Sequence, residues 1–164
     1  MLLRASHKTP IGTLTVITRE HVVLAAGFGG YEEMVRGMDA EDSSLKLSKV
    51  DRIPIISDLI EDYFNGNLDS FNSIVVRQPG EKFSQLAWKA MRKVAPGKVI
   101  SYSDLAAKAG SPDAVRAAGS ACARNLIAPI IPCHRIVRTG GALGNYAYGP
   151  PAKEWLLRHE GFLK

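Results

Sequence analysis

The sequence predicts an α+β protein: a small amino-terminal α/β domain with an antiparallel sheet over residues 1–80, then a mostly helical winged helix-turn-helix domain over residues 81–164. Three observations lead there. Two β-branched runs, Thr13 to Thr18 and Val22 to Ala26, flank a polar Arg-Glu-His and read as a hairpin. The second half is a succession of helical patterns separated by glycine turns. Between them, at Pro79-Gly80, the charge balance reverses: residues 1–80 hold 8 Lys and Arg against 11 Asp and Glu, whereas residues 81–164 hold 13 against 5.

The remaining elements follow in order. "MVRGMDAEDSSLKLSK" lacks periodicity and reads as a loop or a frayed helix. In "IPIISDLIEDYFNGN" the residues Ile56, Leu59, Ile60, Tyr63 and Phe64 recur at helical spacing, and Asn65-Gly66 stops the helix. "SFNSIVVRQPGEKF" offers a short strand before the boundary. "FSQLAWKAMRKVAPG" sets Phe83, Leu86, Ala87, Ala90, Met91 and Val94 on one helical face, ended by Pro96-Gly97. "SYSDLAAKAG" reads as a short helix capped by Ser103 and stopped by Gly110, and "SPDAVRAAGSACARN" as a second helix with Ser111 at the N-cap and Pro112 in the first turn. Helix, glycine turn, helix is the outline of a helix-turn-helix. "IVRTGGALGNYAYG" then reads as a strand and a glycine-rich wing, and "PPAKEWLLRHEGF" as a closing helix.

With 46% hydrophobic and 23% charged residues, the 164-residue chain has the composition of a folded globular protein. No stretch approaches the roughly 20 apolar residues that cross a bilayer, and "MLLRASHKTPIG" lacks the apolar region and cleavage site of a signal peptide. A cytoplasmic or nucleoid-associated monomer without a membrane partner is expected. The concentration of positive charge in the second half predicts a module facing a polyanion. Two cysteines, Cys122 and Cys133, are too few for a disulfide framework or a CxxC zinc site. His7 and His21 read as solvated, Trp88 and Trp155 as core, and Cys122 as a small packed residue.

Two stretches invite chemistry. In the helix expected over Ser111–Ala123, Ala114, Ala117, Ala118, Gly119, Ser120 and Ala121 leave Arg116 as the long side chain in the middle. Such a helix has little with which to read base edges, but it can approach the minor groove, about 6 Å wide. A lone arginine there could hold open the space of an extruded base; tight packing against neighbouring helices explains the same composition. The second stretch is "IIPCHRIV", residues 130–137. A thiol needs a base or a cation to ionise at neutral pH. His134 would point away from Cys133 in a regular strand, and Pro132 supplies a bend where the two can meet directly or through water. These residues alone favour an inert buried cysteine over a nucleophile.

The run Ile131 to Val137 resembles the PCHR[VI] signature of the O6-alkylguanine-DNA alkyltransferases. Further matches follow in the same order: Phe83 with Trp88, Gly97, Ser101-Tyr102-Ser103, Leu105-Ala106, Arg116-Ala117, Asn125, Gly144-Asn145-Tyr146, Lys153 to Leu157, and His159-Glu160-Gly161. Thr9 to Leu14 resembles the family's opening strand. The resemblance is dense over residues 81–162 and thin over 1–80.

It implies a direct-reversal DNA repair protein that moves the alkyl group of O6-alkylguanine in double-stranded DNA irreversibly to its own cysteine, with no cofactor and once per molecule; O4-alkylthymine is the other candidate lesion. By the same resemblance Cys133 is the nucleophile, His134 deprotonates it through a water, and Glu160 orients His134. Tyr102 donates a hydrogen bond to the leaving guanine, Arg116 replaces the flipped nucleotide, and Asn125 braces the segment before the cysteine. Tyr146 walls the base pocket, while Ser103, Ser111 and Thr139 touch the DNA. Arg135 is left as structural or phosphate-facing. The chain departs from the family at Leu126, where many relatives have proline, and at Ala147, where some have serine. Its first half has no cysteine, so the zinc that some relatives hold there is not expected. A non-catalytic lesion binder would replace Cys133, and a winged-helix regulator would carry more base-reading side chains than this helix does.

Overall fold

The computed structural model describes residues 1–164. The chain divides into two compact units, Met1–Pro79 with Leu126–Ile130, and Gly80–Asn125 with Ile131–Lys164. The short segment Leu126–Ile130 thus groups with the first unit, a detail that a single boundary at residue 80 does not contain.

The first unit is built on strands β1 Leu2–Thr9, β2 Gly12–Arg19, β3 Val22–Gly27, β4 Leu47–Lys49 and β5 Val75–Val76, in the order β4-β1-β2-β3-β5. The first three form an antiparallel meander, and the two short outer strands add in parallel. The expected hairpin is β2 with β3. The segment read as loop or frayed helix contains two short helices, α1 Tyr31–Gly37 and α2 Ala40–Ser43, and then β4. Helix α3, Ile56–Phe64, lies against β1 and ends where Gly66 takes a φ of +111°. Its Tyr63 is buried and stacks on Phe71 at 4.3 Å. Leu2, Ile17, Leu24, Ala25, Met34 and Met38 form one apolar cluster of this unit. Leu126–Ile130 is held there by backbone bonds: Ala26 N–H donates to Leu126 O at 2.9 Å, and Ala128 N–H donates to Ala26 O at 3.1 Å. The Leu126 N–H donates to Gln78 Oε1 at 2.8 Å, a bond that a proline at this position could not make.

His7 is not solvated. It is buried, with Nδ1 3.2 Å from Leu14 O and Nε2 2.8 Å from Ser57 Oγ. A carbonyl only accepts, so Nδ1 carries the proton and Nε2 accepts from the Ser57 hydroxyl. Ser57 Oγ in turn accepts the Ile53 N–H at 2.8 Å. The ring is therefore neutral, and burial lowers its pKa below the ordinary 6.5.

The second unit contains α4 Lys82–Arg92, β6 Ile100–Ser101, α5 Tyr102–Lys108, α6 Val115–Ala123, β7 Ile136–Val137 and α7 Pro150–His159. In α4 the buried stripe is Ala87, Trp88, Ala90 and Met91, while Leu86, expected on that face, is 40% exposed. Trp88 turns the stripe because its Nε1–H donates to Ala121 O at 2.9 Å and so fixes α4 against α6. The cap of α5 is Ser101 rather than Ser103. Ser101 Oγ accepts the Asp104 N–H at 3.0 Å and Asp104 Oδ2 accepts the Ser101 N–H at 3.2 Å, a capping box.

Helix α6 starts at Val115, not at Ser111. The end of α5 explains the shift: Gly110 takes a φ of +93°, its N–H donates to Ala107 O, and the Ser111 N–H donates to Ala106 O at 3.0 Å. Ser111 is thereby committed to closing the preceding helix. Residues Cys133–Arg135 form a single 3-10 turn rather than part of a strand, and only Ile136 and Val137 pair, in parallel, with Ile100 and Ser101. The wing is a turn closed by Arg138 N–H to Ala142 O at 2.8 Å. In α7, Lys153, Leu156 and Leu157 are buried; Trp155 is half-buried and stacks on His159 at 4.7 Å.

Because His7 is neutral when folded, the unfolded chain binds its proton more readily. The stability it confers is complete above about pH 6.5 and is lost as the pH falls from there through the lower folded-state pKa; His134, whose pKa is also lowered, acts in the same direction. Urea unfolding is expected to give a lower midpoint at about pH 5.5 than at about pH 7.5, and His7→Gln to shrink that difference. An undiminished difference in the variant would show that His7 is not the titrating group.

Candidate functional site

Three buried polar side chains meet where α7 ends beside the Cys133–Arg135 turn. Glu160, the C-cap residue of α7, accepts from Arg135 through both oxygens, Nε to Oε1 and Nη2 to Oε2, each at 2.8 Å. The same Oε2 accepts from His134 Nε2 at 2.9 Å. Arg135 Nη1 also donates to Val94 O at 2.6 Å. Burial by itself would raise the Glu160 carboxyl, but the bonds from Arg135 and the neighbouring His134 outweigh it and hold the group well below the usual carboxylate range. His134 is fully buried, and burial pulls it below 6.5 against the opposing pull of Glu160.

The tautomer follows from the partners. A carboxylate only accepts, so His134 carries its proton on Nε2 and keeps a lone pair on Nδ1. That Nδ1 is buried and bonded to no other protein atom. The arrangement is a neutral imidazole, oriented by an anion, with one basic nitrogen in reserve.

Cys133 is 5% exposed. Burial pushes its thiol pKa up, while a hydrogen bond from the Asn125 side chain and the charge of Lys153 pull it down. Asn125 is itself buried and donates from Nδ2 to Ile131 O at 2.8 Å, which holds the backbone two residues before the cysteine. The thiol is thus protonated at rest, with groups around it that favour its anion.

Cys133 forms part of the wall of a cavity of about 820 Å³, a size that takes a drug-sized ligand. Tyr102 from α5, Arg116 and Gly119 from α6, and Thr139 and Tyr146 from the segment after β7 complete the portion that carries chemistry. Tyr102 is half-buried and burial pushes its hydroxyl up to about 12, so it is a proton donor at neutral pH. Gly144 makes room for it: a Cβ there would lie 3.4 Å from Tyr102 Oη and 3.3 Å from Arg138 Cγ, at a φ of +80°. Around Gly119 the space is open, and Arg116 is exposed at the rim.

Of the residues singled out in the sequence, Tyr102, Arg116, Cys133, Thr139 and Tyr146 line this one cavity, with His134, Glu160 and Asn125 behind the thiol. Ser103 is bonded to Thr139, Oγ to Oγ1 at 2.9 Å. Ser111 is exposed in the turn between α5 and α6 and is not part of the cavity wall. Sequence reasoning missed Arg138 and Cys122, both in that wall. It left the role of Arg135 open; an arginine inside a run of buried aliphatics needs an acid, and that demand was the available signal. No group of three or more His, Cys, Asp and Glu converges to hold a metal, and no helix is long and apolar enough to cross a membrane.

A family profile described as 6-O-methylguanine DNA methyltransferase, DNA binding domain, matches residues 82–162. Over 99% of its length the chain is 36% identical to the methylated-DNA-protein-cysteine methyltransferase of Shigella flexneri, covering 97% of that protein. The human protein of the same name is 53% identical over 77 residues, 47% of this chain and 37% of that one. Among solved structures, Mycobacterium tuberculosis OGT in complex with DNA superposes with a TM-score of 0.81 at 29% identity, covering 97% of this chain and 92% of the other.

Removing one partner of a buried charge pair strands the other. Arg135→Met is therefore expected to destabilise the protein by about 3–5 kcal/mol in chemical denaturation. A loss below about 1 kcal/mol would mean that water reaches the carboxylate and that the pair is effectively exposed.

Proposed function

This chain belongs to the methylated-DNA-protein-cysteine methyltransferase family, and we propose that the lesion it repairs is O6-alkylguanine in double-stranded DNA, whose alkyl group passes irreversibly to Cys133. One observation carries the assignment of the acceptor. Cys133 lines the cavity together with a tyrosine donor, while a neutral, anion-oriented histidine lies next to it in the chain.

The thiol proton passes through a water to His134 Nδ1, and Glu160 stabilises the imidazolium that results. The Cys133 thiolate attacks the alkyl carbon, a sulfur–carbon bond forms and the bond from that carbon to guanine O6 breaks. The electron pair stays with guanine, and Tyr102, still protonated, donates toward the departing anion. Asn125 holds the thiolate in line. The guanine anion takes up a proton, in net the one the thiol gave up, so the products are a thioether and unmodified guanine in the DNA, and each molecule acts once and needs no cofactor.

The target carbon is inaccessible inside a duplex, so the nucleotide must leave the stack. Arg116, exposed on a helix of small residues, fills the space it leaves; the open surface at Gly119 lets that helix approach a narrow groove. Tyr146 supports the extruded base. Ser103, Thr139 and Ser111 contact the DNA, the first two as a bonded pair beside the cavity and the third from the turn before α6. The basic second unit provides attraction to phosphate, and the first unit serves as structural support.

Intact mass after incubation with a duplex carrying O6-methylguanine is expected to show one methyl group per molecule, absent in Cys133→Ala. Tight lesion binding with unchanged mass would instead indicate a damage-recognition protein, and a parallel duplex carrying O4-methylthymine tests the other lesion. Arg116→Ala is expected to slow reaction with duplex DNA by about 10- to 100-fold, as for loss of about 1.4–2.7 kcal/mol of unstacking support. Reaction with free O6-alkylguanine should be unchanged; equal losses on both substrates would remove Arg116 from base extrusion.

A further inference from the structure

The mechanism above leaves one buried charged group unused. Lys153, in the first half of α7, has no exposed surface at all. Its Nζ donates to Ile136 O at 2.7 Å and to Asn145 O at 3.2 Å. Neither acceptor is charged, and no carboxylate pairs with it. Buried ammonium groups are ordinarily matched by an anion, because an uncompensated charge in a low-dielectric interior is costly. The groups that do interact with it electrostatically are Cys133 and Cys122, and its own charge acts on His134.

We propose that Lys153 is the counter-cation of the Cys133 thiolate: a fixed buried ammonium, tied to the Ile136 and Asn145 carbonyls, that compensates the negative charge appearing when the cysteine gives up its proton. The proposal rests on Cys133 being the nucleophile. Lys153 keeps its three protons throughout, and the thiol proton goes to His134. It is a positioning residue rather than a catalytic one, and it acts in two ways. The two carbonyl bonds tie the strand that leaves the Cys133–Arg135 turn to the residue preceding Tyr146 in the cavity wall. The charge lowers the free energy of the thiolate without neutralising the Glu160 carboxylate, which Arg135 already serves.

Two separate cations thus hold two separate anions, one permanent and one transient. A single cation shared between them would be drawn from Glu160 as soon as the thiolate formed, leaving that buried carboxylate short of a partner. The titratable and charged groups that interact with the thiol are Tyr102 from α5, Cys122 from α6 and Lys153 from α7, with His134 next to it in the chain. Arg138 acts on Tyr102 at the far side of the cavity, and Glu160 stands behind His134. Of the groups acting directly on the thiol, Lys153 is the one that is positive.

The test is the pH profile of iodoacetamide alkylation at Cys133, read by peptide mass, in the full chain and in Lys153→Gln, which keeps hydrogen-bond donors but no charge. The profile is expected to move up by about one pH unit, so that alkylation at neutral pH slows about tenfold. A folded variant with an unshifted profile would reduce Lys153 to a structural strap, and methyl transfer by the unaltered protein would show that the nucleophile assignment still stands. Should Lys153→Gln fail to fold, the 13Cε signal of Lys153 is followed through a pH titration in the unaltered protein and in Cys133→Ser. A Cys133-linked step present in the first and missing in the second supports the pairing; identical curves overturn it.

Discussion

A carboxylate at the C-terminal end of a helix sits at the negative pole of that helix, where a positive group would be favoured. Glu160 occupies that place in α7 and is buried besides, so its charge is tolerable only because Arg135 grips both oxygens and His134 takes one of them. The same guanidinium donates to Val94 O, just beyond α4. One side chain therefore ties the end of α4, the end of α7 and the turn that carries the cysteine. Even the neighbouring backbone yields to this arrangement: Gly97, at a φ of +85°, lies where a Cβ would stand 3.0 Å from Glu160 O. Ring orientation, tautomer and the reserve lone pair on His134 all follow from where that carboxylate is held.

Helix α6 reconciles two explanations that its composition left open. Ala118 and Ala121 are fully buried, and Ala121 offers its carbonyl to the Trp88 indole, so one face of the helix is small because α4 lies close against it. Gly119, Ser120, Ala123 and Arg116 belong to the cavity wall, so the other face is small at a place where space is kept open. Close packing and close approach are both served, on opposite sides of nine residues. Cys122 is caught between them: it is half-buried and in the cavity wall, and burial keeps it a protonated thiol.

What could be read in the sequence was what periodicity and punctuation encode. The β2–β3 hairpin, α3 with its Asn-Gly stop, and α7 with its leading prolines stand out because apolar spacing and turn residues agree. Strand β1 escaped because Arg4, Ser6, His7 and Lys8 blur its alternation, and because His7 is satisfied by a serine 50 positions away that no local pattern reveals. The start of α6 was misplaced for a similar reason, since Ser111 has the composition of an N-cap but spends its N–H on the helix before it. At the site, residue types and order were legible, and the family resemblance supplied the Glu160–His134 pair but not Arg135 as its second partner. That Glu160 has two partners rather than one is a fact about how α7 meets the Cys133–Arg135 turn, and it appears only when the chain is folded.

The environment of Cys133 also bears on why the proposed transfer runs one way. Burial raises the thiol pKa, so the anion is hard to form and needs a base and favourable neighbours to appear. A thiolate of high basicity is, by the same measure, a poor leaving group. Once sulfur has taken the alkyl carbon, the charge that Asn125 and Lys153 favoured is gone, and expelling the sulfur again would recreate it in the same apolar surroundings. For the proposed guanine lesion the balance differs, because the departing charge would spread over the ring and meet the Tyr102 hydroxyl. The asymmetry that drives transfer from oxygen to sulfur thus opposes the return, and a site that lowered the thiol pKa far enough to release the alkyl group would have surrendered the affinity for carbon that makes repair complete.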